Sequence, residues 1–260
     1  MAGIRTHGSL FSGIGGFDLA SSWMGWRNVF QCEIDESCRR VLEKNFPDVD
    51  RHADIKSFDA SRYEGLVDVV SGGFPCQPFS TAGARRGKKD ERYLWGEMFR
   101  VIRQVRPKFV VGENVHGIIS MAHEDICLAL ESEGYAVGAF VVPAMAQDAP
   151  HQRKRVWFVA YSKHDGWPEG WERVTEGALE EAARRKEGER DKQAIPFINS
   201  LEFCEWHRWK DAISQLRGVD DGVSTKLDKN RLKQLGNAVV PQVAYEVFSC
   251  ISQIALLTSQ

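Results

Sequence analysis

The strongest limit on how this chain folds is a regular alternation, from Ser9 to Ser162, of short apolar runs with stretches of helical periodicity. SLFSGIGGFDLA, Ser9 to Ala20, reads as an apolar strand, a glycine-rich turn and an apolar-periodic helix. NVFQCEID predicts a second strand ending with Glu33 and Asp35, then a helix over Glu36 to Phe46, and ADI, Ala53 to Ile55, reads as a third strand end. LVDVVS (Leu66 to Ser71), KFVVGENV (Lys108 to Val115), YAVGAFVVPA (Tyr135 to Ala144) and RVWFVAYS (Arg155 to Ser162) supply further strands. Helices are expected near Trp95 to Val105 and Glu124 to Glu133. Such alternation argues for an α/β fold, a mostly parallel sheet with helices on both faces. In open sheets of that kind, ligands and chemistry collect at the carboxyl ends of the strands.

After Ser162 the texture changes. HDGWPEGWERVTEG is rich in turns and tryptophan, EEAARRKEGERDKQ is a charged helix with Glu180/Arg184 and Glu181/Arg185 four apart, and CEWHRW carries Trp206 and Trp209. Periodicity returns in RLKQLGNAVVPQVAYEVFSCISQIALL, where Val243, Val247, Ile251 and Ile254 share one face of a helix after Pro241. The expected organisation is a first domain over 1–162, a small insert over 163–230, and a segment over 231–260 that packs back onto the first domain. The tryptophans of the insert are read first as its own small core.

A chain of 260 residues, 43% apolar and 27% charged, suits one soluble globular domain with a small insert. Its apolar runs are too short to span a bilayer and its first residues lack the apolar core of a signal peptide, so a cytoplasmic location is expected. Six cysteines are scattered without a CxxC pair or a His/Cys cluster, which indicates neither structural zinc nor a disulfide framework. The formal net charge of −2 does not announce a nucleic-acid partner. Charge distribution matters more than the total, however, and two basic clusters, ARRGKKDERY (Ala84 to Tyr93) and HQRKR (His151 to Arg155), are each either a solvated face or a phosphate-holding surface.

Three strand-end motifs carry chemistry. GGFPCQPFS, Gly72 to Ser80, sets Cys76 between Pro75 and Pro78, which restrict the backbone and remove two amide donors. That stretch alone leaves open a rigidly presented nucleophile and a small buried core cysteine. In the first turn, Gly13, Gly15 and Gly16 let backbone approach a ligand at a helix N-terminus, yet Asp18 stands where a dinucleotide fingerprint wants a glycine. Glu33 at the second strand end suits ribose hydroxyls, so an adenosine-like ligand without a pyrophosphate is plausible; an exposed strand-end charge is the other reading.

The order FSGIGGF, CEID, GGFPCQPFS, ENV, RKR before a strand and LGNAVVP near the C-terminus resembles the DNA cytosine-5 methyltransferases, in a compact phage- or prophage-like form. The resemblance covers roughly Ser9 to Ser162 and Arg231 to Cys250. It implies a Rossmann-like sheet of the S-adenosylmethionine-dependent methyltransferase type, completed by the C-terminal helix, with the insert as target-recognition region. It implies S-adenosyl-L-methionine as cofactor, S-adenosyl-L-homocysteine as its product, and no metal. Position by position, Phe11, Gly13 and Gly15 would line the cofactor turn, Glu33 would hold the ribose hydroxyls, and Ile34 would lie against the adenine. Asp54 and Ile55 would meet the adenine edge, Pro75 and Leu94 would close the pocket, and Asn237 and Ala238 would add contacts from the far end.

The same resemblance makes Cys76 the nucleophile that adds to C6 of cytosine. It makes Glu113 the acid that engages N3 and the exocyclic amine, and Arg153 and Arg155 the pair at the base carbonyl. The target base has to leave the duplex stack to reach such a site. Gln77, Ser80, Arg85, Arg86, Lys88, Lys89 and Arg92 fall in the segment that matches the family's DNA-closing loop. The implied partner is double-stranded DNA, met by a monomer, with any cognate restriction endonuclease acting separately. Two alternatives share these motifs. The tRNA cytosine methyltransferase branch usually carries a CFT tripeptide absent here, and a binding-only homologue would not form an adduct with DNA containing 5-fluorocytosine.

Overall fold

A computed structural model of the chain describes residues 4–75, 93–143, 154–163 and 234–257. Its strands are β1 (Thr6–Leu10), β2 (Arg27–Cys32), β3 (Asp50–His52), β4 (Val69–Gly72), β5 (Phe109–Val115), β6 (Tyr135–Pro143) and β7 (Lys154–Ser162). Its helices are α1 (Gly16–Trp23), α2 (Glu36–Asn45), α3 (Trp95–Val105), α4 (His123–Ser132) and α5 (Pro241–Leu257). The strands form one seven-stranded sheet in the order β3-β2-β1-β4-β5-β7-β6. β7 runs antiparallel to both of its neighbours and the other strands are parallel to one another. This is the mixed, mostly parallel sheet expected from the alternation, and the described part of the insert region ends at Lys163.

Strand alternation divides the core into two layers. On one face Leu10, Phe30, Val70, Val110, Phe158 and Ala160 pack with Met98, Val101 and Ile102 of α3 and Ile126 and Leu130 of α4. On the other, Val69, Phe109, Val111, Trp157 and Tyr161 pack with Phe17 of α1 and Val243, Val247, Phe248 and Ile251 of α5. Of the apolar stripe read on the C-terminal helix, Val243, Val247 and Ile251 lie in this second layer, and the Ile254 side chain falls outside the described residues. Asp68 fixes the opposite ends of the central strands: its carboxylate accepts from the Arg5 and Thr6 amides at 2.9 and 3.0 Å, and Lys108 Nζ lies 2.9 Å away.

Three element boundaries differ from the sequence reading. β3 is Asp50–His52 and ends before Ala53–Ile55, where Asp54 instead accepts from the Lys56 amide. β2 ends at Cys32, and Asp35 belongs to the next helix, where its carboxylate accepts from the Ser37 and Cys38 amides as the N-cap of α2. β4 begins at Val69, three residues later than expected, because Leu66 is exposed and Asp68 turns its carboxylate to the neighbouring strand.

Beneath α1 the second layer contains a buried polar seam. Asp18 accepts from Ser9 Oγ at 2.9 Å and from Gln31 Nε2 at 3.0 Å. Ser9 Oγ also meets Ser12 Oγ at 2.7 Å. His7 hydrogen-bonds Asn28 Oδ1 through Nδ1 and Ser71 Oγ through Nε2, each at 2.7 Å, and Asn28 Nδ2 donates to the Asp18 carbonyl at 3.1 Å. Burial disfavours charge on both ionisable groups. It pushes Asp18 up to about 6, against the hydrogen bonds from Gln31 and Ser9, and His7 down to about 4, against its bond to Asn28.

Those shifts act on stability with opposite signs across one pH window. Between about pH 4 and 6 native Asp18 keeps a proton that the unfolded chain has lost, so its contribution falls as pH rises. Native His7 lacks a proton that the unfolded chain holds from about pH 4 to 6.5, so its contribution rises with pH. The two slopes largely cancel in the native chain. Relative to it, His7→Gln should lose stability as pH rises from about 4 to 6, and Asp18→Asn should gain it, each by up to about 1.4 kcal/mol per pH unit. Urea unfolding across that range checks this; profiles parallel to the unsubstituted protein would remove the assignment.

Candidate active site

Sheet order reverses between β1 and β4, and their register sets Leu10 beside Gly72. The chain segments that follow these strands therefore leave the sheet side by side, at the crevice where open α/β sheets bind ligands. After β1 the backbone turns through Phe11 at φ 53°, Gly13 at 56° and Gly15 at 91°. A phenylalanine in the left-handed region is held there at a cost of about 1–3 kcal/mol. Among the described residues, a Cβ added to Gly13 would meet nothing within 4 Å.

Glu33, just beyond β2, braces the turn: its Oε2 accepts from the Gly13 amide at 2.7 Å and its Oε1 from the Asp35 amide at 2.8 Å. A carboxylate has about four acceptor positions, so each oxygen retains capacity for another donor. Ile34 beside it is 72% exposed, an apolar side chain held open at a strand end. Asp54 closes a local turn by accepting from the Lys56 amide at 2.9 Å, and Ile55 is buried. Glycine backbone, a carboxylate and an exposed aliphatic side chain along one sheet edge fit a nucleoside with free ribose hydroxyls.

Leu94 sits at the N-cap of α3 and packs on the first core layer, and Pro75 is half-buried. Asn237 and Ala238 lie in the segment before α5. That segment is anchored at both ends: Gln234 Nε2 donates to Ser37 Oγ of α2 at 2.7 Å, while the Val239 carbonyl lies 2.6 Å from where a Cβ on Gly16 would stand. Val239 also comes within 3.9 Å of the Cβ position of Gly73. Asn237 and Ala238 are thus held between the N-terminus of α2 and the turn leading into α1.

At the same end of the sheet, β5 and β7 build an ion pair. Their antiparallel register pairs Glu113 with Trp157, which puts Arg155, two residues back along β7, on the same face diagonal to Glu113. Arg155 Nε meets Glu113 Oε1 at 3.0 Å, with the side chains 23% and 13% exposed. The segment after β4 crosses over this pair, since a Cβ on Gly73 would lie 3.4 Å from Glu113 Oε2. Asn114, buried on the opposite face, donates from Nδ2 to the Phe74 carbonyl at 3.0 Å and fixes the segment one residue before Pro75.

Cys76, Arg153, Gln77, Ser80, Arg85, Arg86, Lys88, Lys89 and Arg92 lie outside the described residues. Among described cysteines, burial pushes the thiols of Cys32, Cys127 and Cys250 up to about 12, 11 and 11. These thiols are protonated at neutral pH and are poor nucleophiles. Sequence reasoning assigned no role to Asn114, although it stands inside the quoted ENV motif, and treated Asp18 only as a missing glycine. The seam beneath the turn and the closeness of Gly16 to Val239 depend on long-range contacts that spacing does not show.

The sequence pattern of the C-5 cytosine-specific DNA methylases matches residues 6–208, and the chain belongs to that family. Among its relatives, the type II methyltransferase M.Eco47II of Escherichia coli is 32% identical over 191 residues, 68% of this chain and 45% of that protein. M.NgoMIV of Neisseria gonorrhoeae is 34% identical over 167 residues, 61% of this chain and 53% of the relative. M.AquIA of Picosynechococcus is 36% identical over 172 residues, 58% of this chain and 69% of the relative. The chain thus spans about half the length of the first two. A protein described as a DNA modification methyltransferase encoded within an E. coli prophage shares the fold at TM-score 0.54 and 27% identity, over 63% of this chain and 48% of that one. The Dnmt2 methyltransferase of S. pombe shares it at TM-score 0.62 over 95% of this chain and 98% of its own, with 16% identity.

Two substitutions test this geometry without an activity assay. Asn114→Ala leaves the Phe74 carbonyl without its side-chain donor and should cost about 1–3 kcal/mol in urea unfolding. Gly16→Ala drives a Cβ onto a backbone carbonyl that no rotamer can move aside, with an expected loss of about 1–3 kcal/mol. An unchanged unfolding midpoint in either variant would contradict the corresponding contact.

Proposed function

We propose that this chain is a DNA (cytosine-5-)-methyltransferase acting on a flipped cytosine within a short duplex sequence, in a restriction-modification system or as a solitary phage or host enzyme. The observation that carries this reading is the Glu113–Arg155 pair lying under the segment that leads through Pro75 to Cys76, next to the turn braced by Glu33. Family membership supports the reaction class. S-adenosyl-L-methionine, when bound, supplies an electrophilic methyl group on a sulfonium, and the turn over Phe11, Gly13 and Gly15 with Glu33, Ile34, Asp54, Ile55, Leu94, Asn237 and Ala238 would hold it.

The chain's own residues would do the rest. C5 of cytosine is a poor nucleophile until C6 is attacked. The Cys76 thiolate forms a bond to C6, and electron density moves through the ring toward C5 and N3. Glu113 engages N3 and the exocyclic amine, where that density would otherwise build up as negative charge. Arg155, with Arg153, contacts the base carbonyl, and its ion pair with Glu113 sets the orientation of both groups before the base arrives. Once C5 has taken the methyl group, a base accepts the proton from C5, the electrons of that C–H bond restore the C5–C6 double bond, and the sulfur–carbon bond breaks to release the Cys76 thiolate. Lysines and arginines of 85–92 contact phosphates without reading sequence.

Methyl transfer from labelled S-adenosylmethionine to unmethylated DNA, followed by bisulfite sequencing, tests the reading. Conversion-resistant cytosines within one short motif are expected; label in tRNA but not DNA would move the chain to the RNA branch, and label in neither would leave a binding-only homologue. Glu113→Gln should lower kcat by about 10²–10⁴-fold with cofactor affinity retained. Collapse of cofactor affinity in that variant would displace Glu113 from the base.

A further inference from the structure

α3 presents a polar strip to the segment that follows β3. Glu97, Arg100 and Gln104, spaced to share one helix face, all take part. Arg100 Nη2 donates to the Ile55 carbonyl at 2.5 Å and Nη1 to the Phe58 carbonyl at 2.9 Å. Nη1 also meets Gln104 Oε1 at 3.0 Å, and Nε meets Glu97 Oε2 at 2.9 Å. Gln104 Oε1 in turn accepts from the Ala60 amide at 3.1 Å. One guanidinium thus closes both carbonyls of the turn that carries Asp54 and Ile55, and Glu97 and Gln104 hold that guanidinium in place. The segment contributes no strand past His52, so these side-chain bonds stand where a ladder would otherwise fix its backbone.

We propose that Arg100 is a positioning residue for the nucleoside cofactor, acting through the 54–58 turn rather than by touching the ligand. This rests on the cofactor reading above. Arg100 bonds the carbonyl of Ile55, the residue placed against the adenine edge, and it springs from the helix whose N-cap is Leu94, placed on the pocket's other wall. The guanidinium ties two walls of one pocket, contributed by segments about forty residues apart, at a fixed spacing. Its planar fork serves both carbonyls in one fixed geometry, which a lysine ammonium on a flexible stem does not reproduce.

The test is titration of the full chain and its variants with S-adenosyl-L-homocysteine by calorimetry, beside steady-state methylation at varied S-adenosylmethionine. Arg100→Met, which keeps the aliphatic stem, should weaken binding by about tenfold or more, as loss of an outer-shell support does. Arg100→Lys should fall between it and the unsubstituted protein. KM for the cofactor should rise while kcat at saturation stays. Glu97→Gln keeps a side-chain oxygen that accepts from Arg100 Nε, so the guanidinium stays in place and binding should remain within about threefold of the unsubstituted protein. Unchanged affinity in folded Arg100→Lys and Arg100→Met overturns the proposal. A drop in thermal midpoint with KM unchanged would make Arg100 a structural group only and overturns it equally. If the unsubstituted protein binds no S-adenosyl-L-homocysteine, the cofactor reading itself fails, a result distinct from either.

Discussion

The pairing of β1 with β4 is the constraint on which the site depends. Because Leu10 and Gly72 are neighbours in that ladder, the glycine turn and the segment leading to Cys76 emerge at one level. Every later element is placed relative to that junction. β5 adds Glu113 one strand further on, β7 returns antiparallel to bring Arg155 onto the same face, and α5 follows a segment wedged against Gly16. A parallel ladder alone could not place Arg155 there, since the carboxyl end of β5 has to meet the amino end of β7. Among the described strands only β7 runs antiparallel, and its direction has a chemical consequence as well as a topological one.

Two demands explain why the turn carries so many glycines, positive φ and close approach. Gly13 and Gly15 meet the need for positive φ, whereas Gly16 has no room for a side chain beside the Val239 carbonyl. Phe11 shares the backbone requirement without being glycine, and its ring packs on the first core layer. Contacts on that layer hold the residue where its backbone alone would not stay.

Much of this was legible in the sequence, because periodicity and strand-end motifs are local signals. The helix over Trp95 to Val105 and the alternation that builds the sheet follow from apolar spacing alone. The end of β2 did not, because a strand-end acid and an N-cap acid look alike in sequence; only the bonds from Ser37 and Cys38 to Asp35 separate them. The Glu113–Arg155 pair was legible as two motifs, but their junction depends on strand register. Asn114, Asp18 and Arg100 were not legible as supports, since their partners lie between 9 and 45 residues away and only the fold brings them together.

Polar groups buried near the junction also explain how the fold tolerates its site. A buried carboxylate, a buried imidazole and a largely buried ion pair are each costly to desolvate. Here each is matched by named donors and acceptors. Asp18 has Ser9 and Gln31, His7 has Asn28 and Ser71, and Glu113 has Arg155. Leaving one partner out would strand the other in a low dielectric, so the seam under α1 is specified as a unit. Two apolar layers on either side of the sheet supply the stabilisation that offsets it. The arrangement places rigid polar support under the glycine turn, beside the braced Glu33 and the exposed Ile34.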